Sequence, residues 1–157
     1  MTELIDALRS GAFAGMREGH LHRLGACARR VEYRAGDAVI NEGGAADRFF
    51  LILEGEVEVS VHQPHLGDVA LESIGAGDLL GWSWLAVPAV WQLDAHASSP
   101  VTAVAFDAAC VRREMERDHE LGYQLLQRFV GVIVHRLQAS RLQRLDVYAP
   151  LAGPEPT

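Results

Sequence analysis

The sequence predicts a mainly β fold with flanking helices, an antiparallel sandwich or barrel, on three observations. From Val31 onward apolar residues recur with the period of a strand rather than that of a helix. The strand-like runs are short and are separated at regular intervals by turn-forming groups: Ala35-Gly36-Asp37, Glu42-Gly43-Gly44, Glu54-Gly55, Pro64 to Asp68 and Gly75 to Asp78. Helical spacing is found only before Val31 and after Phe106, so helices flank a β core with Gly-rich corners.

Taken in order, Thr2 to Arg9 and Glu18 to Ala28 place Leu4, Ile5, Leu8 and then Leu21, Leu24, Ala28 at helical spacing, predicting two short amphipathic helices. Phe49 to Leu53 is a continuous apolar strand, whereas Glu56 to Val61 alternates and has one wet face. With Gly55 between them these two runs are expected to form a tight hairpin. A break at Trp82 to Val90, closed by Pro88, precedes strands at Leu93 to Ala97 and Val101 to Phe106. Asp107 is the expected N-cap of a helix over Ala108 to Arg117, and Asp118 of a long helix from His119 to about Val147. That helix carries two apolar stripes. Leu126, Val130, Ile133 and Leu137 repeat at four, three and four residues like a coiled-coil seam, and Leu121, Leu125, Phe129 and Val132 form the other. One stripe suits the barrel and the other a partner helix, so a homodimer is expected, with burial of both stripes in one monomer as the alternative. The organisation is thus 1–118 for the barrel and its N-terminal helices, 119–147 for the dimerisation helix and 148–157 for a flexible tail.

A chain of 157 residues with 49% hydrophobic content has the size of one domain with a real core. All 14 cationic residues are Arg against 21 acidic ones, and the net charge of −7 disfavours nucleic acid and anionic membrane as partners. Met1 to Arg17 has neither the basic start nor the apolar run of a signal peptide, so a cytoplasmic location is expected. Cys27 and Cys110 lie far apart without C-x-x-C spacing and are read as two reduced, partly buried thiols.

Gly36-Asp37, Ile40, Glu42-Gly43, Ala46-Asp47, Phe49-Phe50, Gly55, Val57 and Gly77-Asp78-Leu79-Leu80-Gly81 stand at the spacing of the cyclic nucleotide-binding domain. The stretch from Leu8 to Leu145 resembles the sensory half of regulators of the catabolite-activator and Fnr type. The resemblance implies a double-stranded β-helix, or jelly-roll, barrel followed by a long C-terminal helix. It also implies a phosphate cassette after Gly81, where an Arg holds the cyclic phosphate and a Glu the ribose hydroxyl. Aligned without a gap on Ala97 through Asp107, the Glu position falls on Trp82 and the Arg position on Trp91, or on Gln92 with a slip of one. No Lys or Arg occurs anywhere from Phe49 to Cys110, and only His96 could supply a partial charge. Three indoles, Trp82, Trp84 and Trp91, fill the segment instead. They read either as the wall of a pocket for a planar or apolar ligand or as a plug that closes it. The family's nucleobase lid follows an Arg-Leu-Gln-x run, matched here by Arg136 to Ala139, so Ser140 keeps the hydroxyl.

The expected pocket is therefore Gly81, Trp82, Ser83, Trp84, Trp91, Gln92 and Ser140. No cofactor is expected. His62-Gln-Pro-His65 falls at a hairpin tip rather than on inward strand positions, which argues against a metal site. His20 and His22 flank Leu21 on a surface helix, and no nucleophile context is recognisable, so an enzyme is not expected. The residues after Leu145 are too few for the helix-turn-helix of the regulators. The function read from the sequence is a stand-alone regulatory or sensory domain for a small ligand other than cAMP or cGMP. A ligand-free protein-interaction module and a weak cyclic nucleotide binder are the alternatives.

Overall fold

The structure is a computed structural model that describes residues 2–151, with side chains placed through residue 139. The chain begins with α1 (Thr2–Leu8), a 3₁₀ turn (Gly11–Phe13) and α2 (Glu18–Ala26). Eight strands follow: β1 (Ala28–Tyr33), β2 (Ala38–Ile40), β3 (Arg48–Glu54), β4 (Val57–Gln63), β5 (Gly67–Ile74), β6 (Leu79–Leu80), β7 (Asp94–Ala97) and β8 (Val101–Asp107). A second 3₁₀ turn (Ser83–Leu85) lies between β6 and β7, and α3 (Ala108–Arg117) and α4 (His119–Leu151) complete the chain.

The strands form two four-stranded antiparallel sheets, ordered β1-β8-β3-β6 and β2-β7-β4-β5. This is the mainly β jelly-roll arrangement with a long C-terminal helix that the sequence predicts. The apolar run of β3 is buried from Phe49 to Ile52, as a central strand covered on both faces should be. In β4 the alternation buries Val57 and Val59 while Glu58 is only half-buried.

The expected hairpin around Gly55 does not form, because β3 and β4 belong to different sheets. Gly55 is instead the corner at which the chain leaves one sheet for the other. Its φ of +88°, and a carbonyl of Pro100 only 2.1 Å from where a Cβ would stand, admit no side chain there. Local pattern alone cannot separate a hairpin from such a corner, since both join two strands through a Gly in positive φ.

Asp107 caps α3 by accepting from the Cys110 N–H at 3.2 Å, and Asp118 caps α4 by accepting from Glu120 and Leu121. The Leu121 N–H does most to hold the Asp118 carboxyl below its ordinary range, with His20, the Glu120 N–H and Arg23 adding to it. His20 departs from the surface position expected of it. It is 5% exposed, with Nε2 3.3 Å from Asp118, and so helps dock α2 on the start of α4. Helix α4 also runs past its expected end, continuing to Leu151 where a tail was predicted from 148.

The cysteines depart from expectation as well. Cys27 and Cys110 are joined in a disulfide across 83 residues of sequence. The reason is topological: β1 pairs with β8 in the register Ala28↔Phe106, and the Asp107 N–H donates to the Cys27 carbonyl at 2.9 Å. The residue before β1 therefore lies against the first turn of α3. Among the described residues no helix is long and apolar enough to cross a membrane.

Candidate functional site

Between the β2-β7-β4-β5 sheet, the segment after β6 and helix α4 lies a hollow of about 360 Å³. Its base is aliphatic, with Ile40, Val59 and Leu80, and α4 covers it with Ile133, Leu137 and Ala139. Of the residues expected to form a pocket, Gly81, Trp82, Ser83, Trp91 and Gln92 all line this hollow. The side chain of Ser140 lies outside the described residues.

Trp91 is fastened by its backbone, which exchanges hydrogen bonds with Gly43 and Gly44 at 2.9 Å. Its ring edge rests on Gly81, where a Cβ would come within 2.8 Å of the indole and φ is +90°. Glycine at position 81 thus serves both the turn after β6 and the close seating of the indole.

Trp82 is half-buried, and the guanidinium of Arg136 lies 4.5 Å from its ring centroid. This cation is the lining residue that reading along the cassette misses. The span from Phe49 to Cys110 lacks Lys and Arg as expected, yet α4 crosses the hollow and supplies an Arg from far along the chain. The signal in the sequence is the Arg-Leu-Gln-x run itself, which offers its own Arg as well as the hydroxyl of Ser140. Arg136 Nε donates to Glu72 Oε2 at 2.8 Å, with side chains 13% and 20% exposed. Burial lowers the Arg136 pKa from its ordinary value, and the Glu72 carboxylate opposes that shift. Arg136 Nη1 is buried and has no hydrogen-bond partner among the described residues.

Trp84 is not part of the hollow. It is 1% exposed, stacked on Phe49 at 4.9 Å and set edge-on to Phe129 at 5.4 Å, beneath the inner stripe of α4. Trp82 is the N-cap of the 3₁₀ turn, with φ −121°, while Trp84 lies within the turn. Trp82 and Trp84 therefore face different sides, one the hollow and the other the core. Trp82 and Trp91 thus line the hollow, Trp91 being only 8% exposed and packed with the core as well, whereas Trp84 lies in the core alone.

His96 also lies away from the hollow, at the register positions opposite Ala38 and Glu58 on the neighbouring strands. His62 stands near the exposed β4–β5 tip with Nδ1 3.1 Å from Asp68. Along α4, Leu121, Leu125 and Phe129 are fully buried, whereas Leu126, Val130, Val134 and Leu137 are 41–55% exposed. Ile133, assigned by its spacing to the outer seam, is half-buried and lines the hollow.

Two packed sheets with a hollow closed by a C-terminal helix define a jelly-roll domain with a helix-capped pocket. The chain belongs to the cyclic nucleotide-binding domain family, whose model matches residues 30–118. It is 25% identical over 139 residues to a CRP-like cAMP-activated global transcriptional regulator of Mycobacterium tuberculosis. That alignment covers 88% of this chain and 60% of the regulator, so the chain spans less than two thirds of its relative's length. A cyclic nucleotide-binding domain from Methylobacillus flagellatus superposes with a TM-score of 0.72 at 20% identity, over 99% of this chain and 86% of that one. The N-terminal domain of a transcriptional regulator from Streptomyces coelicolor gives 0.67 at 24% identity, over 86% and 94%. These relatives are named for regulation and nucleotide binding rather than for catalysis.

Proposed function

We propose that this domain is a non-enzymatic regulatory sensor whose hollow takes a small, uncharged, planar molecule rather than cAMP or cGMP. The observation that carries this reading is the charge of the pocket. Among the described residues its lining holds one cation, Arg136, against two carboxylates, Glu72 and Asp94, a formal total of −1. Glu72 already occupies Arg136 Nε, so a phosphate entering here would meet more negative than positive charge. Indoles, meanwhile, stand at the positions where the family resemblance places the ribose and phosphate contacts. A flat neutral ligand could stack on Trp82 or Trp91 and accept a hydrogen bond from Arg136 Nη1, which has no partner among the described residues.

Loss of the Arg–phosphate contact is worth a few kcal/mol, about a hundredfold or more in affinity. Isothermal calorimetry with cAMP and cGMP is accordingly expected to show no binding in the low-micromolar range. Low-micromolar binding of either nucleotide overturns the proposal. Thermal unfolding across a panel of neutral aromatic metabolites is the direct positive test, because a ligand of the native state alone raises the melting temperature. Trp91→Ala should abolish that response.

The exposed face of α4 supports a second element of the reading, a homodimer. Leu126, Val130 and Leu137 keep the seam spacing and are exposed in the single chain, as residues awaiting an identical helix would be. Leu137 belongs both to this face and to the lining of the hollow, which would let occupancy of the pocket bias the pairing of the helices.

A further inference from the structure

A second cavity, of about 850 Å³, opens around the disulfide, with Cys27 and Cys110 both in its lining. Four arginines share that lining, Arg29, Arg48, Arg112 and Arg113, against two carboxylates, Asp47 and Asp107. The formal charge is +2, in a chain whose net charge is −7. The carboxylates are also engaged: Asp47 pairs with Arg48 at 3.1 Å, and Asp107 caps α3. Arg112 spends one nitrogen on the Trp84 carbonyl at 3.3 Å. Arg29 and Arg113 have no ion pair or side-chain hydrogen bond among the described residues, so two guanidinium groups in the lining that the cysteines share remain uncompensated.

We infer that the Cys27–Cys110 disulfide is an exchange site for a small anionic thiol, drawn in by these arginines. The sulfurs differ in access. Cys27 is 7% exposed, whereas Cys110 is only half-buried, so an incoming thiol reaches Cys110 first. The incoming thiolate attacks Cys110 Sγ and forms a new sulfur–sulfur bond there. The electron pair of the old bond passes to Cys27 Sγ, which leaves as a thiolate and takes a proton from water. The small thiol is oxidised to a mixed disulfide while Cys27 is reduced, so no further oxidant or reductant enters. Positive charge serves this step twice, by concentrating an anionic thiol and by stabilising both thiolates. The cavity also reaches Ala89, and Arg112 stands two residues beyond Cys110 with its bond to Trp84, so an adduct on Cys110 adjoins the segment that walls the hollow.

The test uses the full oxidised chain and three monothiols of different charge: glutathione, neutral 2-mercaptoethanol and cationic cysteamine. Adducts are followed by intact mass and peptide mapping, with rates corrected for the thiolate fraction of each reagent. At about 0.05 M ionic strength glutathione is expected to modify Cys110 at least ~10-fold faster than cysteamine, with 2-mercaptoethanol between them. At about 0.5 M the rates should converge to within about twofold, since salt screens the arginines. The double substitution Arg29→Gln with Arg113→Gln should remove most of the preference at low salt. Should that variant fold poorly, the salt series on the unaltered chain decides alone. Equal rates for the three thiols, an adduct on Cys27, or two titratable thiols in the untreated chain would each overturn the inference.

Discussion

Replacing Trp84 with Ala is expected to destabilise the domain by about 3–5 kcal/mol, a large share of the stability of a domain this size. The indole is 1% exposed and is enclosed by Phe49, Phe129 and the inner stripe of α4, so its removal leaves a void that no neighbour can fill without breaking a ring contact. Trp91→Ala should cost much less, no more than about 2 kcal/mol, because the space it vacates merges with a hollow that water can enter. Urea unfolding of the two variants makes the comparison. Equal losses above about 3 kcal/mol, together with no stabilising compound in the metabolite panel, would turn the hollow into core and favour a ligand-free interaction module.

Placing charge on the outer face of α4, by Leu126→Glu together with Val130→Glu, is expected to convert a dimer to a monomer. Neither residue lines the hollow, and both are more than 40% exposed in the single chain, so the substitutions should leave the fold of the protomer intact. Across a helix seam they would bury facing carboxylates at a cost of several kcal/mol. Light scattering at tens of micromolar should give twice the chain mass of 17.1 kDa for the unaltered protein and that mass for the variant. A monomeric parent at that concentration ends the dimer proposal. Ile133→Glu is the less informative choice: it enters the hollow as well as the helix face, and its effects on ligand and partner could not be separated.

Where the governing interactions are local, the sequence by itself determined the outcome. Strand periodicity over β3 and β4, the N-caps Asp107 and Asp118, and the inner stripe of Leu121, Leu125 and Phe129 depend on residues a few positions apart, and each stands where the pattern placed it. The pocket segment was legible for the same reason, since Gly81 and the residues that follow it carry the family's spacing. Only the tertiary structure decided the rest. Gly55 turns out to be a crossing between sheets because strand partners are chosen by topology, not by the residues of the turn. Cys27 meets Cys110 because β1 and β8 pair across about half of the chain, a proximity that an 83-residue separation cannot reveal. Trp84 parts from Trp82 because one lies within a 3₁₀ turn that the other caps, and Arg136 enters a cation-free segment because α4 folds back over it. The charge of the hollow and the surroundings of the disulfide are thus sums over groups distant in sequence, and such sums exist only once the chain has brought those groups together.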